Sequence, residues 1–268
     1  MDTKQYFETI KSFKFLAQKE LGQNFLVDSS ICETIVNSLG ISNEDKVLEI
    51  GCGYGSLSYF ILKQASDCLL IDIDQRPIEF VISNSAFTKD QKVTNSNIFT
   101  QNMSSFTKII GNLPYYITTG IIEKVLLEAN SLKKMVIMVQ KDAFSRIIAR
   151  PGQKEYGPLA ILVEYMGVVD RILNVSRQSF VPQPHVDSIV FSMEIKQNND
   201  YKSKLFIVAK AMFMYRRKTI FNNLKKFINE SVAASAILLS SGIDPKKRPE
   251  ELSLSDFVAL TKHLHEYL

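Results

Sequence analysis

The sequence predicts an α/β protein, with a mostly parallel sheet carrying helices on both faces and a small all-helical domain after it. Two observations support this fold class. Apolar runs of strand length alternate with helix-like segments over roughly residues 29–140, as in doubly wound sheets. From residue 200 onward, apolar residues recur at helical spacing. We therefore divide the chain at the polar run 197–200, into domains 1–196 and 197–268.

The elements of the first domain follow from periodicity and from flanking glycines and prolines. A helix is predicted over 29–39, where Ile31, Ile35 and Leu39 share one face. The other predicted helices are 56–64, 78–85 and 120–129, and the predicted strands are 46–50, 68–73, 93–98, 108–111, 134–140, 168–175 and 189–195. Residues 150–158 are predicted to be a loop, because glycines and prolines interrupt any regular pattern.

The helices of the second domain are predicted from spacing and from capping residues. Apolar residues keep helical spacing from residue 205 to residue 227. Asp244-Pro245 has the form of an N-cap followed by proline at the first helical position. Ser253, with Asp256 three residues later, predicts another helix start with a capping box.

Size and composition fit an ordinary globular protein of a reducing compartment. A chain of 268 residues can bury the core of one large domain, or of one domain and a smaller one. Cys32, Cys52 and Cys68 form no CxxC pair, which predicts neither a disulfide framework nor a zinc site. The three histidines form no metal constellation. Apolar runs are too short to span a bilayer and the first residues lack a signal core, so we expect a cytoplasmic protein.

The distribution of charge is more informative than the net charge of +4. Between residues 201 and 228 there are eight lysines or arginines and no acidic residue. A segment of this kind can bind the phosphates of a nucleic acid. The alternative interpretation is a solvated helix face, which runs of like charge also form.

A glycine-rich turn follows the first strand of the predicted sheet. Gly51, Gly53 and Gly55 lie between this strand and a helix, where glycine lets the backbone turn tightly and approach a ligand. Asp72 ends the next strand, 21 residues after Gly51, and its carboxylate can accept hydrogen bonds from ribose hydroxyls. Ligands of doubly wound sheets bind at this edge. The spacing fits a dinucleotide as well as S-adenosylmethionine, and a plain tight turn is the alternative.

The segment Asn112-Leu113-Pro114-Tyr115 follows the fourth strand and has groups suited to hold a nucleobase. The exocyclic amine of adenine is a weak nucleophile, because its lone pair is delocalised into the ring. The Asn112 and Leu113 oxygens can accept hydrogen bonds from that amine and stabilise positive charge developing on nitrogen. Tyr115 can stack on the base and Phe180 can close its other face, at roughly 1–3 kcal/mol per stacked base. A strand-ending turn is the alternative, but the position after a glycine turn favours methyl transfer to a nucleobase nitrogen.

Short motifs along nearly the whole chain resemble those of the ribosomal RNA adenine N6,N6-dimethyltransferases of the small-subunit type. In chain order they are Leu21-Gly22-Gln23-Asn24-Phe25-Leu26, Leu48-Glu49-Ile50-Gly51-Cys52-Gly53, Gly111-Asn112-Leu113-Pro114-Tyr115, Val139-Gln140-Lys141, Tyr156-Gly157-Pro158-Leu159, Phe180-Val181-Pro182, Val186-Asp187-Ser188 and Arg216-Arg217-Lys218-Thr219. Each motif is short, but their order and spacing together are highly specific.

The resemblance implies a Rossmann-like class I methyltransferase sheet with a small helical domain after it. It implies S-adenosyl-L-methionine as methyl donor and dimethylation of N6 on two adjacent adenosines, in a hairpin near the 3′ end of small-subunit rRNA. The implied cofactor site consists of Asn24, Leu26, Gly51, Gly53, Asp72, Asn97 and Asn112. The implied adenine site consists of Asn112, Leu113, Tyr115 and Phe180. We assign RNA binding to the basic segment, above all to Arg216, Arg217 and Lys218.

Two positions depart from the family pattern. Asn97 stands where the family usually has an aspartate that contacts the adenine amine of the cofactor. An asparagine oxygen can still accept that hydrogen bond, with less assistance from charge. Tyr116 stands where an asparagine is usual, which affects the packing behind the base rather than the reaction.

The expected partner is small-subunit rRNA or a pre-ribosomal small subunit. We expect the protein to be a monomer and not to bind a membrane. One alternative is a large-subunit rRNA adenine N6-methyltransferase that confers macrolide-type resistance. Tyr156-Gly157-Pro158-Leu159 and Arg216-Arg217-Lys218-Thr219 favour the small-subunit type. A non-catalytic ribosome-assembly factor on the same fold is the other alternative, and the intact glycine turn and 112–115 segment argue against it.

Overall fold

The computed structural model describes residues 2–12, 22–87, 92–114, 116–196 and 200–268. Its helices are α1 (Thr3–Ser12), α2 (Ser29–Leu39), α3 (Ser58–Ile61), α4 (Gln75–Ser83), α5 (Thr118–Glu128), α6 (Lys141–Ile147), α7 (Pro158–Met166), α8 (Lys202–Phe213), α9 (Ile220–Ile228), α10 (Ser231–Ser240) and α11 (Leu254–His263). Its strands are β1 (Phe25–Leu26), β2 (Lys46–Ile50), β3 (Asp67–Asp72), β4 (Lys92–Asn95), β5 (Lys108–Asn112), β6 (Lys134–Gln140), β7 (Gly167–Val175), β8 (Phe180–Val181) and β9 (Ser188–Ile195).

The sheet confirms the predicted α/β class. Seven strands lie in the order β4-β3-β2-β5-β6-β9-β7, and the pairs from β4 to β6 are parallel. Strand β9 joins β6 antiparallel, while β1 and β8 form a separate two-stranded ladder. The five central residues of β6 are all buried, as expected where helices cover both faces of a sheet. Because β2 lies between β3 and β5, the strand order reverses there and leaves a crevice at the carboxyl ends.

The chain divides into two compact units. The first consists of the residues up to Phe144 together with Val169–Ile195, and the second of Ser145–Val168 together with Lys196–Leu268. In the first unit the sheet packs against α1, α2 and α4, with Tyr6, Ile35 and Val81 among the buried residues.

Segment 145–168 belongs with the helical unit, although the boundary expected from sequence placed it in the first domain. Helix α7 is the reason: Ala160 and Ile161 are buried in the same cluster as Leu205 and Val208 of α8. An apolar helix before a strand gives no local sign of which core it will join. The division near residue 196 agrees with the polar run, to within one residue.

Several elements differ from expectation. Helices α1, α6 and α7 were not predicted, and the helix expected over 56–64 is only Ser58–Ile61, with turns on either side. The strand expected over 93–98 ends at Asn95. Asp244 begins a turn rather than a helix: its side chain accepts a hydrogen bond from the Lys246 amide at 2.9 Å and its carbonyl accepts one from the Lys247 amide at 3.1 Å. The capping box at Ser253 and Asp256 is confirmed.

Within the described ranges, none of the helices is long and apolar enough to cross a bilayer. The same ranges contain no group of three or more histidine, cysteine, aspartate or glutamate side chains that could hold a metal ion. All three cysteines are buried as free thiols.

Candidate active site

A cleft opens in the first unit where the strand order reverses. Together with its open mouth it encloses about 1010 Å³. Its walls come from the carboxyl ends of β2, β3 and β5, from the chain after β4, and from the segment that contains β1. The seven residues expected to bind the cofactor all line it: Asn24, Leu26, Gly51, Gly53, Asp72, Asn97 and Asn112. Positions separated in the sequence thus meet in one cavity.

The glycine turn is fixed to the end of β3. The amides of Gly51 and Cys52 both donate to the Ile71 carbonyl, at 2.9 and 3.0 Å. The Gly53 amide donates to Asp72 Oδ2 at 2.9 Å. Gly51 and Gly53 have φ of +72° and +52°, a conformation that favours glycine. The turn therefore holds its shape through both its backbone conformation and the Asp72 carboxylate.

Helix α1 supports the turn from behind. The Tyr6 hydroxyl donates to the Tyr54 carbonyl at 2.5 Å, and the Tyr6 ring stacks on Tyr59 at 4.8 Å between centroids. Gly55 leaves no room for a side chain, because a Cβ there would lie 2.7 Å from the Tyr6 hydroxyl and 2.6 Å from Phe87. The order of the glycine turn thus depends on a helix that the sequence pattern did not reveal.

Asp72 is held with both carboxylate oxygens engaged. Oδ2 accepts the Gly53 amide, and Oδ1 accepts the Asp74 amide at 2.9 Å. Burial raises the pKa of Asp72, and these backbone hydrogen bonds oppose that rise. Each oxygen keeps a second lone pair that can accept a hydrogen bond from a ligand hydroxyl.

Asn97 has a structural task that changes its expected chemistry. Its Oδ1 caps the short 3₁₀ helix Ile98–Thr100 by accepting the Phe99 amide at 3.0 Å. An aspartate would have a second oxygen to offer a ligand, but asparagine has only one. The side chain at this wall of the cleft therefore offers its NH₂ group and the second lone pair of Oδ1, one acceptor oxygen fewer than an aspartate.

Asn112 ends β5 with its carboxamide in a defined orientation. Its Nδ2 donates to the Asn24 carbonyl at 3.0 Å. Among the described residues, no donor reaches Asn112 Oδ1 or the Leu113 carbonyl oxygen, so both acceptors remain available. Leu113 is itself held to β6, since its amide donates to the Met138 carbonyl at 3.1 Å. The two oxygens thus stand on backbone that the sheet immobilises.

The segment after Leu113 turns at once into α5. The Pro114 carbonyl accepts hydrogen bonds from the Ile117 amide at 3.3 Å and from the Thr118 hydroxyl at 3.0 Å. Tyr115 lies outside the described residues, so the structure gives no position for its ring. Tyr116 lines the mouth of the cleft with 60% of its surface exposed and packs over Gly22.

Phe180 does not line the cleft, contrary to the expectation that it closes over the base. Only 1% of its surface is exposed, and it belongs to the core of the first unit. In the β1–β8 ladder it pairs with Leu26. A ring buried in this way offers no face to a base, and it helps instead to position Leu26 on the cleft wall.

Glu49 is a cleft residue that was not predicted. It lies at the end of β2 with 1% of its surface exposed, and it accepts a hydrogen bond from the Ser58 hydroxyl at 2.5 Å. Burial, together with the nearby charge of Asp72, raises the pKa of Glu49 to about 8. Its position directly before the glycine turn was the sequence feature that could have identified Glu49 as a cleft residue. The sequence does not show, however, that an acidic side chain within an apolar strand is buried.

Asp74 and Gln23 form another link that sequence reasoning missed. Asp74 caps α4 and accepts hydrogen bonds from Arg76 and from Gln23 Nε2, the latter at 2.8 Å. The hydrogen bond from Arg76 lowers the pKa of Asp74 to about 2. This pair ties the segment before β1 to the chain after β3, on the same side as the glycine turn.

In the second unit, the three residues assigned to RNA binding have different surroundings. Arg217 and Lys218 are exposed. Arg216 is half-buried and donates to the Lys154 carbonyl at 2.5 Å and the Gln153 carbonyl at 3.1 Å. These bonds make Arg216 a link within the helical unit, whereas Arg217 and Lys218 face solvent.

The family model described as ribosomal RNA adenine dimethylase matches residues 14–266. A ribosomal RNA small subunit methyltransferase A from Clostridium botulinum (strain Okra / Type B1) is 37% identical over 279 residues, which cover 100% of both chains.

Solved structures agree with this match. The crystal structure of a dimethyladenosine transferase from Plasmodium falciparum has a TM-score of 0.77 at 25% identity, over 90% of this chain and 97% of that one. The 23S rRNA methyltransferase ErmE has a TM-score of 0.65 at 20% identity, over 90% of this chain and 99% of that one, and shows a shared fold. The Rossmann-like methyltransferase architecture is thereby confirmed, and it implies the use of S-adenosylmethionine. The chain belongs to the ribosomal RNA adenine dimethylase family, and it is a methyltransferase.

Proposed function

We propose that this protein transfers methyl groups from S-adenosyl-L-methionine to N6 of two adjacent adenosines, in a hairpin near the 3′ end of small-subunit rRNA. The main observation in support of this proposal is the way Asn112 is held. Its amide nitrogen donates to the Asn24 carbonyl, which leaves its oxygen as an acceptor on a residue that lines the same cleft as the glycine turn. The resemblance to a small subunit methyltransferase over the full chain favours small-subunit RNA. We expect a cytoplasmic monomer acting on rRNA or on a pre-ribosomal small subunit.

The residues of the cleft fit the proposed methyl donor. Gly51 and Gly53 have no side chains and the Cys52 thiol between them is buried, so a ligand can approach the backbone of the turn. Asp72 has free lone pairs for ribose hydroxyls, and Asn97 has an NH₂ group for an acceptor on a base edge. The acidic groups at the cleft, Glu49 and Asp72, suit a cofactor that carries positive charge. When bound, S-adenosylmethionine supplies a methyl group activated by a sulfonium centre.

The chain's own contribution is to hold the target amine. Asn112 Oδ1 and the Leu113 carbonyl oxygen would each accept a hydrogen bond from it. As positive charge develops on the nitrogen, the same oxygens become better partners, so their hydrogen bonds strengthen in the transition state. Because the Asn24 and Met138 carbonyls fix both groups beforehand, little reorganisation is needed. Tyr115 is proposed as the stacking surface for the base, from its place in the sequence.

The RNA contact outside the cleft is proposed for the basic segment 201–228. Arg217 and Lys218 are exposed and free of the backbone hydrogen bonds that engage Arg216. Phosphate contacts of this type release counterions, so binding should weaken steeply with salt. Arg217→Glu and Lys218→Glu should weaken RNA binding and leave cofactor affinity unchanged. An equal loss of cofactor affinity would mean that folding was damaged.

The central test is mass spectrometry of nucleosides from purified small and large subunits after incubation with the protein. Dimethyladenosine is expected in small-subunit RNA, and label confined to large-subunit RNA would refute the substrate assignment. Asn112→Ala should lower kcat by about 10²–10³-fold, the usual effect of removing one preorganised group that stabilises transition-state charge. RNA binding should survive the substitution.

Asn37→Ala is the matched control for the Asn112 variant. Asn37 is an exposed asparagine of α2 whose side chain accepts a hydrogen bond from Gln64 at 2.8 Å, and it does not line the cleft. It should keep full activity. If Asn112→Ala is as active as this control, the proposed role of the carboxamide is wrong.

A further inference from the structure

Within the ranges that the structure describes, no cation lies beside the buried carboxyl group of Glu49. Its side chain lies in the cleft at the end of β2, between β3 and β5, and pairs by register with Leu70 and Ile110. From the part of the chain that the structure describes it receives one hydrogen bond, from Ser58, a neutral hydroxyl that is itself fully buried. Burying an ionised carboxylate without a cation is costly, and a protein can avoid this cost by keeping the group protonated.

The titratable groups that face Glu49 do not supply the missing charge. Among the described residues they are all acids: Tyr6 of α1, Cys32 of α2, Cys52 of the glycine turn, and Cys68 and Asp72 of β3. Each is neutral or negative, so each opposes ionisation of Glu49 rather than favouring it. The neighbours that shift its pKa are Ser58 and Asp72, and neither is a cation.

With no cation among the described neighbours, the cleft that Glu49 lines is a place from which positive charge can reach this carboxyl group. S-adenosylmethionine, the ligand assigned to the cleft above, has two cationic groups, a sulfonium and an α-ammonium. A cation brought into a water-poor cavity favours the ionised form of a neighbouring carboxyl group. The affinity of the ligand and the ionisation of the acid are then linked, because each promotes the other.

We propose that Glu49 is protonated in the ligand-free protein and gives up its proton to solvent when the cationic cofactor binds. The inference rests on the proposed function of the cleft and adds that pH regulates cofactor binding there. One O–H bond of the carboxyl group breaks, the proton passes to the buffer, and the carboxylate remains as the counter-ion of the cofactor. Cofactor affinity therefore rises with pH over the range in which the free protein holds this proton.

The expected size follows from the pKa of Glu49. With a value of about 8 in the free protein, the ionised fraction rises about 20-fold between pH 6.0 and pH 7.5, and cofactor affinity should rise by a similar factor. The α-amino group of the cofactor stays mostly protonated over this range, since such amines titrate at about 7.7–8.0. Close to one proton should be released per cofactor bound at pH 6.5.

Isothermal titration calorimetry of the intact protein with S-adenosylmethionine measures both quantities. Repeating each titration in two buffers of different ionisation enthalpy counts the protons released. In Glu49→Gln, which keeps an acceptor for Ser58, proton release should fall close to zero and the affinity should no longer rise between pH 6.0 and 7.5. Binding by the wild type with no proton release would overturn the inference. No binding at any pH would instead refute the proposed function of the cleft.

Two further measurements keep the result decisive if Glu49→Gln does not fold. Ser58→Ala removes the hydrogen bond that lowers the pKa of Glu49, so the rise in affinity should shift to higher pH. Adenosine has no cationic group and should bind to the wild type without releasing this proton. Equal proton release with adenosine and with S-adenosylmethionine would contradict a role for ligand charge.

Discussion

Gly55→Ala should destabilise the protein much more than a glycine substitution in open space. Two separate costs arise at this position. The backbone φ is +83°, which an L-residue adopts at a cost of roughly 1–2 kcal/mol. The new Cβ would lie 2.6 Å from Phe87 Cζ, 2.7 Å from the Tyr6 hydroxyl and 3.3 Å from Val81.

The second cost is overpacking. Tyr6, Phe87 and Val81 are all buried, so they can move only by disturbing the core behind the glycine turn. Overpacking of a tight core costs typically about 1–3 kcal/mol. The sum for Gly55→Ala is therefore about 2–5 kcal/mol, a large part of the stability of an ordinary domain.

Gly40→Ala is the matched control. Gly40 follows α2 in the same unit with φ of +64°, and a Cβ there would meet nothing within 4 Å. This variant has the backbone cost and no overpacking, and should lose about 1–2 kcal/mol. The difference between the two variants isolates the packing of α1 against the glycine turn.

The assay is urea unfolding followed by far-UV circular dichroism, because the chain has no tryptophan for fluorescence. Cofactor affinity should fall with Gly55→Ala and be kept with Gly40→Ala, since Tyr6 holds the Tyr54 carbonyl of the turn. Equal losses of stability in the two variants would refute the reasoning. They would mean that the core yields at little cost and that α1 does not support the site.

Three further predictions concern stability. Glu49 binds its proton more tightly in the folded than in the unfolded protein, so the free energy of unfolding should fall by about 4–5 kcal/mol as pH rises from 4.5 to about 8. Unfolding measured as a function of pH should no longer show this decline in Glu49→Gln. Asp74 has a lowered pKa, so its contribution is present above pH 3.8 and is lost as pH falls toward 2; Asp74→Asn should remove that acid-side dependence. Tyr156→Phe removes a buried 3.0 Å hydrogen bond to the Leu252 carbonyl and should cost about 1–2 kcal/mol in thermal or urea unfolding.

Sequence patterns located most of the cleft because its residues follow strands. A parallel strand that ends in glycine or asparagine places that residue at one edge of the sheet, wherever the strand stands in the order. Gly51, Asp72 and Asn112 were predicted in this way. Phe180 stays a prediction as a base contact: its ring is buried where a two-residue pairing joins β8 to β1, and no local pattern signals that burial.

The sequence by itself determined the α/β class, the strand ends at which Gly51, Asp72 and Asn112 lie, and the family to which the chain belongs. Periodicity and turn residues act over a few positions, and they specify elements and their ends. Tertiary structure alone decided that α7 joins the helical unit and that Arg216 binds backbone carbonyls. It also decided that Glu49 is buried without a cation. These outcomes depend on which residues, distant in the sequence, become neighbours in the fold. Whether a polar group is buried, and which partner it finds, is decided only by that packing.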